Sequence, residues 1–94
     1  MVRSSLDRVE AARIAAEIGE QVERRAPEGL RALLASDDVF EVTGRDGLQY
    51  RVSIEAWAEL RDPNQLEVIV TVSDGTLRSE IHPASWRTEI TLEP

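Results

Sequence analysis

Apolar residues recur at helical spacing over the first third of the chain and at every second position over most of the rest. From Leu6 to Arg25, the positions Ala11, Ile14, Ala15, Ile18 and Val22 fall on one stripe, which predicts an amphipathic helix. Ser4 or Ser5 can cap its start, with Asp7 in the favoured first turn. Glu10, Arg13, Glu17, Glu20 and Arg24 take the opposite, solvated side, where Arg13/Glu17 and Glu20/Arg24 have the spacing of helical ion pairs. Val9, Ala12 and Ala16 widen the apolar stripe, so cover on more than one side is expected. Gly19 lies on the apolar side; it lowers helix propensity but lets another backbone come close. Pro27 then opens a shorter helix at a position where its missing N–H does no harm. Leu30, Leu33 and Leu34 give that helix an apolar edge, and Ser36-Asp37-Asp38 ends it.

The remainder alternates. Val39–Thr43 and Leu48–Val52 flank Gly44-Arg45-Asp46-Gly47, which suits a three-residue loop: a type I turn followed by a left-handed Gly47. That loop sets Phe40 opposite Val52, Val42 opposite Tyr50 and Glu41 opposite Arg51, so the apolar and charge patterns agree on one register. Alternation then runs unbroken to Leu60, with Tyr50, Val52, Ile54, Ala56, Ala58 and Leu60 on one face and Arg51, Ser53, Glu55, Trp57 and Glu59 on the other. A rival reading stays open: Ser53–Arg61 holds good helix formers, and as a helix it would bury Trp57. A turn at Arg61–Gln65 leads into Leu66, Val68, Val70 and Val72. Pairing Leu60 with Leu66 sets Trp57 against Ile69 and Glu59 against Glu67 on the outer face. Asp74-Gly75 signals a further hairpin, with Leu77, Ser79 and Ile81 inward and Thr76, Arg78, Glu80 and His82 outward. In the last strand Trp86, Thr88, Ile90 and Leu92 point in.

These elements predict one α+β domain over residues 1–94. A helical hairpin (1–36) packs on one face of a five-stranded antiparallel meander (37–94), a two-layer sandwich. A chain of 94 residues sustains a modest core. No apolar run has the length of a membrane span, and the N-terminus carries no apolar signal core, so a cytoplasmic location is expected. There are no cysteines, and all 11 basic residues are arginine, which excludes thiol chemistry, lysine Schiff bases and a P-loop lysine. Charge divides unevenly: residues 1–36 hold six arginines and six acids, whereas residues 37–94 hold five arginines and twelve acids and carry the whole net charge of −7. An acidic sheet repels nucleic acid and anionic membranes and favours basic partners.

Candidate chemistry is sparse. His82 is the one histidine, placed before a proline at a hairpin end, and a triad needs further partners around it. Asp37-Asp38 and Asp62-Pro63-Asn64 lack the alternating spacing of a calcium loop, so no metal and no cofactor is expected. A carboxylate couple of Glu59 and Glu67, with His82 nearby, is the one acid–base arrangement the expected register offers. The surface around Trp57 carries more. Trp57 and Ile69 form an apolar pair ringed by Glu55, Glu59, Glu67, Glu80, Arg51 and Arg78, the pattern of a binding hot spot with a polar rim. The expected function is a non-catalytic protein-binding module (an inhibitor, immunity-type or adaptor protein) that docks a basic partner through this face. A homodimer built on the same face, serving assembly, and a small carboxylate/histidine enzyme are the alternatives.

Overall fold

The computed structural model describes residues 2–74 and 83–92, with side chains from residue 9 onward. Two helices, α1 (Val2–Glu23) and α2 (Pro27–Ala35), precede four strands: β1 (Asp38–Thr43), β2 (Gln49–Ala58), β3 (Gln65–Ser73) and β4 (Ala84–Thr91). The sheet is antiparallel in the order β1-β2-β3-β4, and both helices share one core with one of its faces. The fold is therefore α+β.

Helix α1 begins before its expected cap, so Ser4 and Ser5 lie within it. Its stripe is buried as the spacing requires: Ala11, Ile14, Ala15 and Val22 are in the core and Ile18 packs against it. Cover is one-sided, since Val9 stays 69% exposed. The Arg13–Glu17 pair forms at 2.6 Å, whereas no ion pair joins Glu20 to Arg24. Helix α2 starts at Pro27 as predicted and buries Leu30 and Leu33. The two helices form a hairpin in chain order only. Helix α1 packs on β3 and β4, α2 packs on β2, and they scarcely touch each other.

The β1–β2 hairpin takes the expected register, with Phe40 opposite Val52, Glu41 opposite Arg51 and Val42 opposite Tyr50. The Gly44 N–H donates to the Leu48 carbonyl at 2.8 Å, and the Gly47 N–H to the Gly44 carbonyl at 3.0 Å. Gly47 has φ +83°, the left-handed conformation that closes such a loop without a Cβ clash. Segment 53–58 is strand, so the helical alternative falls and Trp57 points away from the core.

Two expectations about the sheet fail. The β2–β3 ladder is shifted by two residues: Ala58 lies opposite Leu66, Trp57 opposite Glu67 and Glu55 opposite Ile69. The cause is local. Asp62 accepts the Asn64 N–H on its side chain and the Gln65 N–H on its carbonyl, both at 3.0 Å, which makes a self-contained turn around Pro63. Leu60 is thereby left outside the ladder, fully exposed instead of in the core. The second failure concerns the fifth strand. Its residues, Thr76–His82, lie outside the described ones, but β3 pairs directly with β4, from Gln65↔Thr91 to Val72↔Ala84, and no strand separates them. Both segments alternate correctly, and a turn signal at Asp74-Gly75 cannot rank two competing partners for one edge. Among the described residues the sheet has four strands. No helix among them is long and apolar enough to cross a membrane.

Trp86 on β4 lays its ring across Gly19. A methyl group at Gly19 would sit 2.3–2.6 Å from three ring carbons, so α1 and β4 approach as they do because position 19 has no side chain. Gly19→Ala gains about 1 kcal/mol of helix propensity but overpacks this contact, at about 1–3 kcal/mol. Urea unfolding is expected to show a net loss in the native background and a neutral or positive effect in a Trp86→Leu background. A gain in the native background would show that the contact does not exist.

Candidate docking surface

In β2 the side chains alternate strictly. Tyr50, Val52, Ile54 and Ala56 are buried beneath the helices, while Arg51 and Trp57 are exposed on the other side. The registers lay out that outer face in rows across the sheet. One row runs Val39, Ser53, Thr71, Ser85; the next Glu55, Ile69, Arg87; the next Trp57, Glu67, Glu89. Among the described residues no element packs over this face.

Trp57 is 59% exposed, a large apolar side chain left in water with a glutamate directly opposite. Ile69 is not its cross-strand partner but its diagonal neighbour, about 7–8 Å away, which an indole can still reach. Glu67 lies 3.9 Å from the Arg87 guanidinium. Of the residues expected at this site, Trp57, Ile69, Glu55 and Glu67 are brought together. Glu59 stands just beyond β2, opposite Gln65, whose carbonyl takes the Glu59 N–H at 2.9 Å, so Glu59 and Glu67 do not form the expected couple. Arg51 lies six residues from Trp57 along the strand, about 20 Å at strand rise, too far to join it. Arg78, Glu80 and His82 lie outside the described residues. Among the described residues the cation that stands here is Arg87, which direct β3–β4 pairing brings opposite Ile69. Sequence reasoning missed Arg87 because it interposed a strand between β3 and β4.

Beside Trp57 lies a groove of about 420 Å³ between residues 33–37, the end of α2 and the link into β1, and the last residues of β2 (56–58). Leu34, 42% exposed, and Trp57 both line it, and Asp37 brings a carboxylate to its rim. Asp38 is held by Arg25 at 3.0 Å, whereas Asp37 has no ion-pair partner among the described residues. Among those residues no three His, Asp or Glu side chains converge as metal ligands would.

A second polar cluster stands where α1 meets the β1–β2 loop. Glu10, expected on the solvated side of α1, is buried. Its carboxylate takes two bonds from Arg13, at 2.6 and 2.8 Å, and the backbone N–H of Arg45. Nearby, the hydroxyl of the fully buried Tyr50 donates to Asp46 at 2.5 Å. Gly44 makes room: a methyl group there would meet the Tyr50 ring at 2.7 Å and the Glu10 carboxylate at 2.9 Å. The cluster clamps the helix to the hairpin. The i,i+3 spacing from Arg13 marks an ion pair, but nothing in the sequence marks the burial of Glu10, because its other partner lies 35 residues on, in a loop that only the packed sheet presents to it.

No protein-family model matches the chain, no curated protein matches it, and no solved structure matches it.

The Arg13 guanidinium, then the Arg45 N–H, hold the Glu10 carboxyl at about 2, well below its ordinary value of 4.5. A depressed folded-state pKa stabilises the fold above the unfolded value and loses that contribution as pH falls through the folded one. Glu10→Gln is thus expected to melt below the native protein at neutral pH, with the gap closing between pH 4.5 and about 2. Thermal denaturation across that range checks it; a gap that stays constant would remove the clamp's ionic character.

Proposed function

We propose that this chain is a small acidic, non-catalytic binding module that docks a basic protein on its outer sheet face, as an inhibitor, immunity-type protein or adaptor does. The observation that carries the reading is Trp57: 59% exposed on a regular strand, beside Ile69 and Glu67, with no described element to cover it. A lone exposed tryptophan is costly to leave in water and effective when a partner desolvates it. The surrounding charge states the preferred partner. Glu55, Glu67 and Glu89 outnumber Arg87 on this part of the face, and residues 37–94 hold the entire net charge of −7. Opposite potentials steer encounter and fix orientation, while the apolar centre sets the lifetime of the complex. The expected Glu59/Glu67 couple does not support the acid–base alternative, since Glu67 is opposed by Trp57 and Glu59 by Gln65.

Trp57→Ala removes surface, not core, and is expected to change stability by no more than about 0.5 kcal/mol. Capture of the basic partner should weaken by about 30-fold or more, the scale of a central tryptophan. A Glu55→Arg/Glu67→Arg double variant should lose the same partner and its salt sensitivity. Immobilised native and variant proteins, compared by quantitative capture with melting curves alongside, test both. Full retention by Trp57→Ala would overturn the reading. Sedimentation at micromolar concentration provides the remaining test: a dimer abolished by Trp57→Ala would reassign the face to self-assembly.

A further inference from the structure

We infer that the groove beside Trp57 is a strand-acceptor site, which takes an extended, arginine- or lysine-bearing segment of the partner as an added strand on the free edge of β2. This deepens the docking reading above and rests on it.

The ladder between β1 and β2 stops at Asp38↔Ile54, yet β2 continues through Glu55–Ala58 against β3 alone. Which backbone groups face the open side follows from alternation. The Gly44 N–H bonds to the Leu48 carbonyl, so the even positions of β2 aim their N–H and C=O groups toward β1. The Glu59 N–H bonds to the Gln65 carbonyl, so the odd positions aim theirs toward β3. Ala56 and Ala58 therefore present two donors and two acceptors past the end of β1, with no ladder partner there.

The groove lies along that edge. Trp57 points to the outer face and Ala56 to the helix face, as Ala58 does by alternation, so a cavity bounded by all three runs beside the strand. The opposite edge belongs to β3, which leaves the β1 side. Residues 55–58 contain no proline that would remove a donor from this edge. A strand entering the groove would alternate its side chains between the apolar wall at Leu33 and Leu34 and the exposed indole of Trp57. This is β-augmentation, in which the main chain supplies affinity and alternate side chains supply selectivity.

The occupant is basic because Asp37, without an ion-pair partner among the described residues, lines the groove, and Glu55 precedes the lining Ala56 along β2, within the half of the chain that carries the net charge of −7. A second copy of this chain does not fit. Antiparallel self-pairing, Ala56 of one copy opposite Ala58 of the other, would set Glu55 of each opposite Glu59 of the other, acid against acid.

The test uses the whole protein and a synthetic probe, acetyl-Arg-Val-Arg-Val-Arg-amide, with the Glu-Val-Glu-Val-Glu peptide as control. Heteronuclear NMR of the native protein should show the Ala56 and Ala58 amides shifting with the basic peptide only, and their exchange with solvent slowing about tenfold. Ala58→Pro deletes one outward N–H and no bond to β3, and should weaken the basic peptide about tenfold. The amide measurement needs no variant, so misfolding of Ala58→Pro cannot hide the answer. Shifts confined to β4, equal response to both peptides, or no response overturns the strand-acceptor site. If Trp57→Ala still abolishes partner capture in that event, face docking stands without strand addition. If capture is also unaffected, the docking reading falls as well.

Discussion

Strand β2 is bonded on both edges, and that two-sided ladder constrains the rest of the molecule. With its even backbone groups committed to β1 and its odd ones to β3, it cannot slip by one residue without turning Tyr50, Val52, Ile54 and Ala56 out to water. The helices have no choice of face, because only one is apolar. The same commitment exposes Trp57, which shares parity with Arg51, Ser53 and Glu55. An outward tryptophan here is a consequence of burying its neighbours.

Unequal strand length adds a second consequence. Strand β2 has ten residues and β1 has six. Backbone polar groups near a surface must find partners in protein or water, and the overhang meets water. Residues 35–37, which lead from α2 into β1, form the facing wall, and the unpaired edge lies beside a groove. Thus a sheet edge and an apolar helix end converge on the residue that also dominates the outer face.

Helical cover is uneven for geometric reasons. Helix α1 lies over β3 and β4, keyed by the Trp86 ring against Gly19, and α2 lies over β2. Strand β1 receives little cover, so Phe40 remains 38% exposed although it points to the helix side. Besides its ladder with β2 and the packing of Val42 on the core, β1 is held by two polar contacts: Arg25 on Asp38 at its start and the Glu10 clamp on the loop at its end. Each uses a charged group from the helical segment.

Features written in local chemistry were legible in the sequence. The stripe of α1, the start of α2 at Pro27, the β1–β2 register closed by Gly47 and the inward parity of β2, β3 and β4 all follow from spacing and turn geometry. Parity survives an error of two residues, which is why Trp57, Ile69, Glu55 and Glu67 were placed on the correct face even though Trp57 was given the wrong partner. What required tertiary structure was every choice among distant partners. Asp62 captured two N–H groups and moved the β2–β3 register, and β3 took Ala84–Thr91 directly, which brought Arg87 to the site in place of Arg51. Glu10 became a buried clamp only because a loop 35 residues away arrived above it. The groove exists only where the end of one helix meets the end of one strand. A sequence states which way each side chain points along its own element, because that depends on neighbours two to four residues away; which element lies across from it depends on the whole packed chain.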